Sequence, residues 1–149
     1  KHSTFLENGF DNLVVADVFC GFGALGFEAL SHNSKHCYFI NNNFKEIECI
    51  KKSAIKLHCE NQCEFICDDA IQGLKTIKNA ELLFLDPPYK TNMGKNFLQK
   101  LLVGDHLADH HLIIYELDKT EKHTLPGWET LDERHYGKSK LLFLRKKNH

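Results

Sequence analysis

Short apolar runs alternate with helical stretches along nearly the whole chain, and that alternation leaves few folds open. Val14 to Phe19 reads as a buried strand, and Ala24 to Ser31 as the helix that follows it. Cys37 to Ile40 is a second strand. Phe44, Ile47, Ile50, Ala54 and Leu57 then recur at spacings of three and four, which predicts an amphipathic helix over 44–57. Glu64 to Cys67 is a third strand and Ala70 to Ile77 a short helix. Leu82 to Leu85, Lys95 to Val103 and Leu112 to Tyr115 repeat the pattern as strand, helix and strand. At the end, Trp128 to Arg134 and Lys140 to Leu144 flank Tyr136-Gly137, the signature of an antiparallel pair. The sum is an α/β fold: a mostly parallel sheet covered on both faces, with an antiparallel C-terminal hairpin at one edge.

With 149 residues the chain suits one domain, spanning 1–149, and shows no repeat or linker. A net charge of −1 argues against coating nucleic acid by charge alone. Yet Arg134, Lys138, Lys140, Arg145, Lys146 and Lys147 follow one another with no acid between, so either a basic face or a solvated tail is expected there. No run approaches the roughly 20 apolar residues of a membrane span, and no signal-peptide pattern opens the chain. The chain starts at Lys1 and its only methionine is Met93, so it is expected to be a fragment or the ordered part of a longer protein. Cys59, Cys63 and Cys67 lack a Cys-x2-Cys knuckle, and Cys63, Phe65 and Cys67 alternate along a strand as small core residues; no metal is expected.

Two loops carry the chemistry. After the first strand comes Asp17-Val18-Phe19-Cys20-Gly21-Phe22-Gly23-Ala24-Leu25-Gly26. Glycines at this spacing also serve nicotinamide and flavin sites, or a plain strand–helix turn. An acid four residues ahead of the first glycine suits a cationic amino acid better than a pyrophosphate, which points to S-adenosylmethionine. Asp17, Phe19, Gly21, Gly23 and Gly26 are therefore candidate donor-binding residues. At the end of the second strand an acid for the ribose hydroxyls is expected, but Asn41 stands there, able to accept only through a neutral amide oxygen. Asp69 and Ala70, after the third strand, are candidates for the adenine amino group and ring nitrogen. Helix capping by Asp68 or Asp69 is the plainer alternative.

The second loop is Asp86-Pro87-Pro88-Tyr89, closing the run Leu82 to Leu85. An exocyclic amino group on a nucleobase is a poor nucleophile because its lone pair is delocalised into the ring. The Asp86 carboxylate and the Pro87 carbonyl would accept its two hydrogens, the Pro87-Pro88 pair would stiffen the turn, and Tyr89 would stack on the ring. A base inside a duplex cannot enter such a site, so the target is unpaired or flipped.

With both motifs in hand, the chain resembles the RsmD family of bacterial 16S rRNA (guanine-N2)-methyltransferases. The resemblance runs through Asp17-x-Phe19-x-Gly21-x-Gly23-Ala24-Leu25-Gly26-x-Glu28-Ala29-Leu30, Asp69-Ala70, Phe84-Leu85-Asp86-Pro87-Pro88-Tyr89, Gly127-Trp128-Glu129 and Tyr136-Gly137. It implies a Rossmann-like methyltransferase fold and S-adenosylmethionine as co-substrate. The implied partner is 16S rRNA within assembled small-subunit particles, met by a cytoplasmic monomer. Three departures stand out: Phe22 where serine is common, Asn41 in place of an acid, and no N-terminal segment with the family's Arg-Pro-Thr-like motif. Rival readings are an adenine-N6 or protein-glutamine methyltransferase, a degenerate module that binds RNA or a ribosomal partner without catalysis, and a nicotinamide oxidoreductase.

Overall fold

The computed structural model describes residues 9–147. Its elements are β1 (Val14–Val18), α1 (Ala24–Ser31), β2 (His36–Asn41), α2 (Phe44–Lys56), β3 (Cys63–Cys67), α3 (Ala70–Gly73), β4 (Ala80–Leu85), α4 (Met93–Leu101), β5 (Leu107–Asp118), β6 (Trp128–Tyr136) and β7 (Ser139–Lys146). The strands form one sheet in the order β3-β2-β1-β4-β5-β7-β6. The first five run parallel, and β7 enters antiparallel between β5 and β6. The expected α/β architecture with a C-terminal hairpin is the one observed. Chain order reverses between β1 and β4, so the crevice at their carboxyl ends is where a ligand fits in such a sheet.

The sheet is apolar on both sides because each side meets helices. Val15, Phe39 and Leu82 face one layer with Ala29 of α1 and Ile47 and Ile50 of α2. Val18, Ile40, Leu83 and Leu85 face the other, with Leu74 and with Phe97, Leu98 and Leu101 of α4. Trp128 closes that second layer, its indole N–H donating to the Leu98 carbonyl at 3.2 Å.

Several boundaries differ from the sequence expectation, each for a local reason. Phe19 falls outside β1 because its φ of 60° breaks extended geometry. The helix expected over 70–77 is α only to Gly73 and tightens to a 3-10 turn at Leu74–Thr76, which brings both Leu74 and Ile77 into the core. β5 is three times as long as expected, twelve residues rather than four. His110 and His111 hid it by interrupting the apolar run. The buried His111 ring binds the Ala108 carbonyl through Nδ1 (2.8 Å) and accepts the Lys146 N–H at Nε2 (3.1 Å) beside a shift in register. Cys67 is exposed rather than a core residue, because β3 is an edge strand. The basic C-terminal run is not a free tail: it forms the hairpin, where Arg134 pairs with Asp132 and Arg145 with Glu129. Gly137, with φ 55°, leads the two-residue turn that joins β6 to β7.

Candidate active site

The loop after β1 is folded by its own sequence. Gly23 has φ 80° and caps α1, a conformation that costs a side-chain-bearing residue about 1–2 kcal/mol. Gly26 allows close packing: a Cβ there would lie 2.4 Å from the Phe39 ring and 2.8 Å from the Cys37 sulfur. Asp17 is buried beneath the turn, where Oδ2 accepts the Gly26 N–H at 2.9 Å. Burial pushes its carboxyl up to about 7, against the lowering effect of that hydrogen bond and with Asp86 adding repulsion. Of the five candidates in this loop, Phe19 and Gly21 reach the cavity wall, whereas Asp17, Gly23 and Gly26 shape the loop from behind.

That cavity has a volume of about 570 Å³ and opens at the carboxyl ends of β1, β2, β4 and β5. The volume suits a nucleoside-sized ligand with room beside it. One wall combines Asn41 and Glu46 with Asp68, Asp69 and Ala70; the opposite wall carries Asp86, Pro87, Pro88 and Tyr89. Residues as far apart in sequence as Phe19 and Glu116 thus share one space.

On the first wall, Asp69 caps α3 by accepting the Gln72 N–H at 3.0 Å, and Asp68 accepts the Asp69 N–H at 2.8 Å. Capping uses one Asp69 oxygen and leaves the other; the Ala70 N–H lies in the first helical turn, where amides lack intrahelical partners. Asn41 borders the cavity with its amide already engaged. Its Nδ2 donates to the Gly21 carbonyl (3.0 Å) and to Glu46 Oε1 (2.7 Å), and its Oδ1 accepts the Asn43 N–H (2.9 Å).

On the second wall, Asp86 is open to solvent, yet displaced water and the nearby Glu116 push its carboxyl up to about 6. No donor among the described residues engages the Pro87 carbonyl. Tyr89 is anchored by its hydroxyl, which donates to Glu116 Oε2 (3.2 Å) and accepts from Ser139 Oγ (2.5 Å); Ser139 Oγ lies 3.1 Å from the same Glu116 oxygen. The ring is therefore fixed to the ends of β5 and β7.

Sequence reasoning missed Glu46, Glu116 and Met93, all on the cavity wall. Glu46 carried a signal: Asn43-x-x-Glu46 is a capping pattern, and Asn43 Oδ1 accepts the Glu46 N–H at 3.0 Å. Glu116 could have been read as an acid near the end of a strand. Nothing local marked Met93. Among the described residues no group of three or more His, Cys, Asp or Glu is placed to hold a metal ion.

A family model described as Conserved hypothetical protein 95 matches residues 3–145. YlbH of Bacillus subtilis (strain 168) is 33% identical over 125 residues, 80% of this chain and 68% of its own length. The Haemophilus influenzae protein named Ribosomal RNA small subunit methyltransferase D is 32% identical over 126 residues, 81% of this chain and 65% of that protein. The chain belongs to this RsmD family. A crystal structure of HI0767 from H. influenzae superposes with a TM-score of 0.86 at 27% identity, covering 97% of this chain and 94% of that one. The chain spans about two thirds of the length of the two RsmD-family relatives compared by sequence. The family's Rossmann-like methyltransferase fold is the fold described above.

Proposed function

We propose that this RsmD-family chain transfers a methyl group from S-adenosylmethionine to the exocyclic N2 amino group of a guanine in small-subunit rRNA. One observation carries the reading: a single cavity joins a wall of diol- and adenine-binding character to the Asp86-Pro87-Pro88-Tyr89 wall. The name of the H. influenzae relative supports small-subunit rRNA as the substrate class.

The residues present suit the donor. A carboxylate at Glu46, the free oxygen of Asp69 and the amide at Ala70 match a ribose and an adenine edge, while Phe19, Ile40 and Ile71 supply apolar wall. The donor provides a methyl group on a sulfonium, a strong electrophile. The Asp86 carboxylate and the Pro87 carbonyl accept the two amino hydrogens and so turn the nitrogen lone pair out of the ring's conjugation. Tyr89, tethered by Glu116 and Ser139, holds the ring plane. As the nitrogen–carbon bond forms, the sulfur–carbon bond breaks and leaves a neutral thioether. The surplus amino proton departs to Asp86 or water. Positioning and electrostatics supply the acceleration, with no covalent enzyme intermediate.

The test is incubation with labelled S-adenosylmethionine and undermethylated small ribosomal subunits, followed by nucleoside analysis. Labelled N2-methylguanosine is the expected product, and Asp86→Ala should lower its formation by about 100- to 1,000-fold. Label in N6-methyladenosine would redirect the reading to an adenine enzyme. Donor binding without any transfer would favour the non-catalytic module.

A further inference from the structure

β2 ends on a neutral side chain where a charge for the ribose diol was expected, and the structure shows where a carboxylate sits instead. Asn41 is nearly buried, and both hydrogens of its amide nitrogen are spent, one on the Gly21 carbonyl at 3.0 Å and one on Glu46 Oε1 at 2.7 Å. Its oxygen takes the Asn43 N–H at 2.9 Å. The amide thus ties the glycine loop, the end of β2 and the first turn of α2 into one unit. An aspartate at this position could make neither of the two donated bonds.

Glu46 gains from that tie. It stands in the first turn of α2, where the unpaired amides of the helix start favour a negative charge. Asn43 caps the same turn through the Glu46 N–H. Asn41 fixes Oε1, and Oε2 makes no hydrogen bond among the described residues. Glu46 and Asn41 both border the cavity, alongside Gly21 and Asp69.

We infer that Glu46 is the acceptor for the vicinal hydroxyls of the donor's ribose, with Asn41 as the positioning residue that aims its carboxylate. The charge has moved from the strand end to the next helix, and the amide left behind has become its clamp. The inference rests on the proposed donor site and goes further by assigning its diol contact. It also reverses the meaning of Asn41. Restoring an acid there would set two carboxylates within hydrogen-bond distance of each other and weaken the site.

Calorimetric titration with S-adenosylhomocysteine and with its 2′-deoxyribose analogue tests this on the whole chain. Wild type should prefer the ribose compound by roughly 10- to 100-fold, the size of a hydrogen bond to a charged group. Glu46→Gln should lose affinity for S-adenosylhomocysteine by a similar factor, and its preference over the deoxy analogue should shrink to about 3-fold or less. Asn41→Asp should weaken binding too, whereas Asn41→Asp combined with Glu46→Gln, which exchanges carboxylate and amide, should restore most of it. Should Glu46→Gln fail to fold, Glu46→Asp, with the same charge on a shorter arm, replaces it and should show the same loss of preference. An unchanged affinity and preference in the Glu46 variant would overturn the inference alone. So would an equal loss for both compounds, which marks a structural role. Wild type that binds neither compound would overturn the donor site itself and the inference with it.

Discussion

Burial displaces the carboxyls of Asp86 and Asp17 upward, to about 6 and about 7, with Glu116 adding repulsion at Asp86 and Asp86 adding it at Asp17. The displacement has a sign that reaches function. With Asp86 as the proposed acceptor, its carboxylate holds an amino hydrogen more strongly than the neutral acid does, so methyl transfer should be level above pH 7 and fall as pH drops through about 6. Glu116→Gln removes a neighbouring negative charge and should move that acid limb downward, whatever it does to the plateau through Tyr89. An initial-rate profile at saturating RNA reads both effects, and a limb that stays in place would detach Glu116 from Asp86. For stability the same shifts act in the opposite direction. A carboxyl raised in the folded state favours folding below its unfolded value near 3.8, and that contribution fades as pH rises through 6 to 7.

The β1–α1 unit works through contacts that leave no room for a side chain. Gly26 lies against Phe39 and Cys37 of β2, and both of those are fully buried. Gly26→Ala should therefore cost about 1–3 kcal/mol in urea unfolding, the usual penalty of overpacking. It should also weaken S-adenosylhomocysteine binding, because the loop that carries Gly21 would move with the helix. Gly21 behaves differently: a Cβ there meets nothing within 4 Å, and only its φ of 55° restricts substitution. Phe19 is held at a positive φ with a bulky side chain, a strain of about 1–3 kcal/mol that the packed sheet sustains at the cavity wall.

Across the whole molecule, the proposed donor site lies at β1 to β3 and the C-terminal hairpin at the far side of β5. The hairpin nonetheless enters the site, since Ser139 at the start of β7 helps hold Tyr89. Leu142 pairs with Tyr115 of β5 and is fully buried. Leu142→Ala should cost about 2–5 kcal/mol of stability by leaving a cavity in the sheet's core. Donor affinity of the folded protein should stay within about 3-fold of wild type, because β7 does not border the donor wall. A parallel loss of affinity would show that the two halves are coupled more tightly than the contacts indicate.

Periodicity was enough to settle the α/β class, the strand–helix order and the antiparallel end, because buried strands and amphipathic helices leave their period in the residues themselves. The two loops were legible for a related reason: glycines and paired prolines restrict the backbone locally, so their meaning travels with the sequence. Roles that depend on a partner distant in the chain were not legible. Asp17 read as a ligand for the donor, and that it is buried and accepts the Gly26 N–H could not be seen in the sequence. Asn41 read as a weakened ribose contact, and its hydrogen bond to Glu46 depends on α2 packing beside the end of β2. Tyr89 could be read as an aromatic platform, but its anchorage by Glu116 and Ser139 needed β5 and β7 to be brought beside β4. Whether a polar side chain faces a ligand or a neighbour is decided by which other groups already satisfy it, and only tertiary packing assembles those groups.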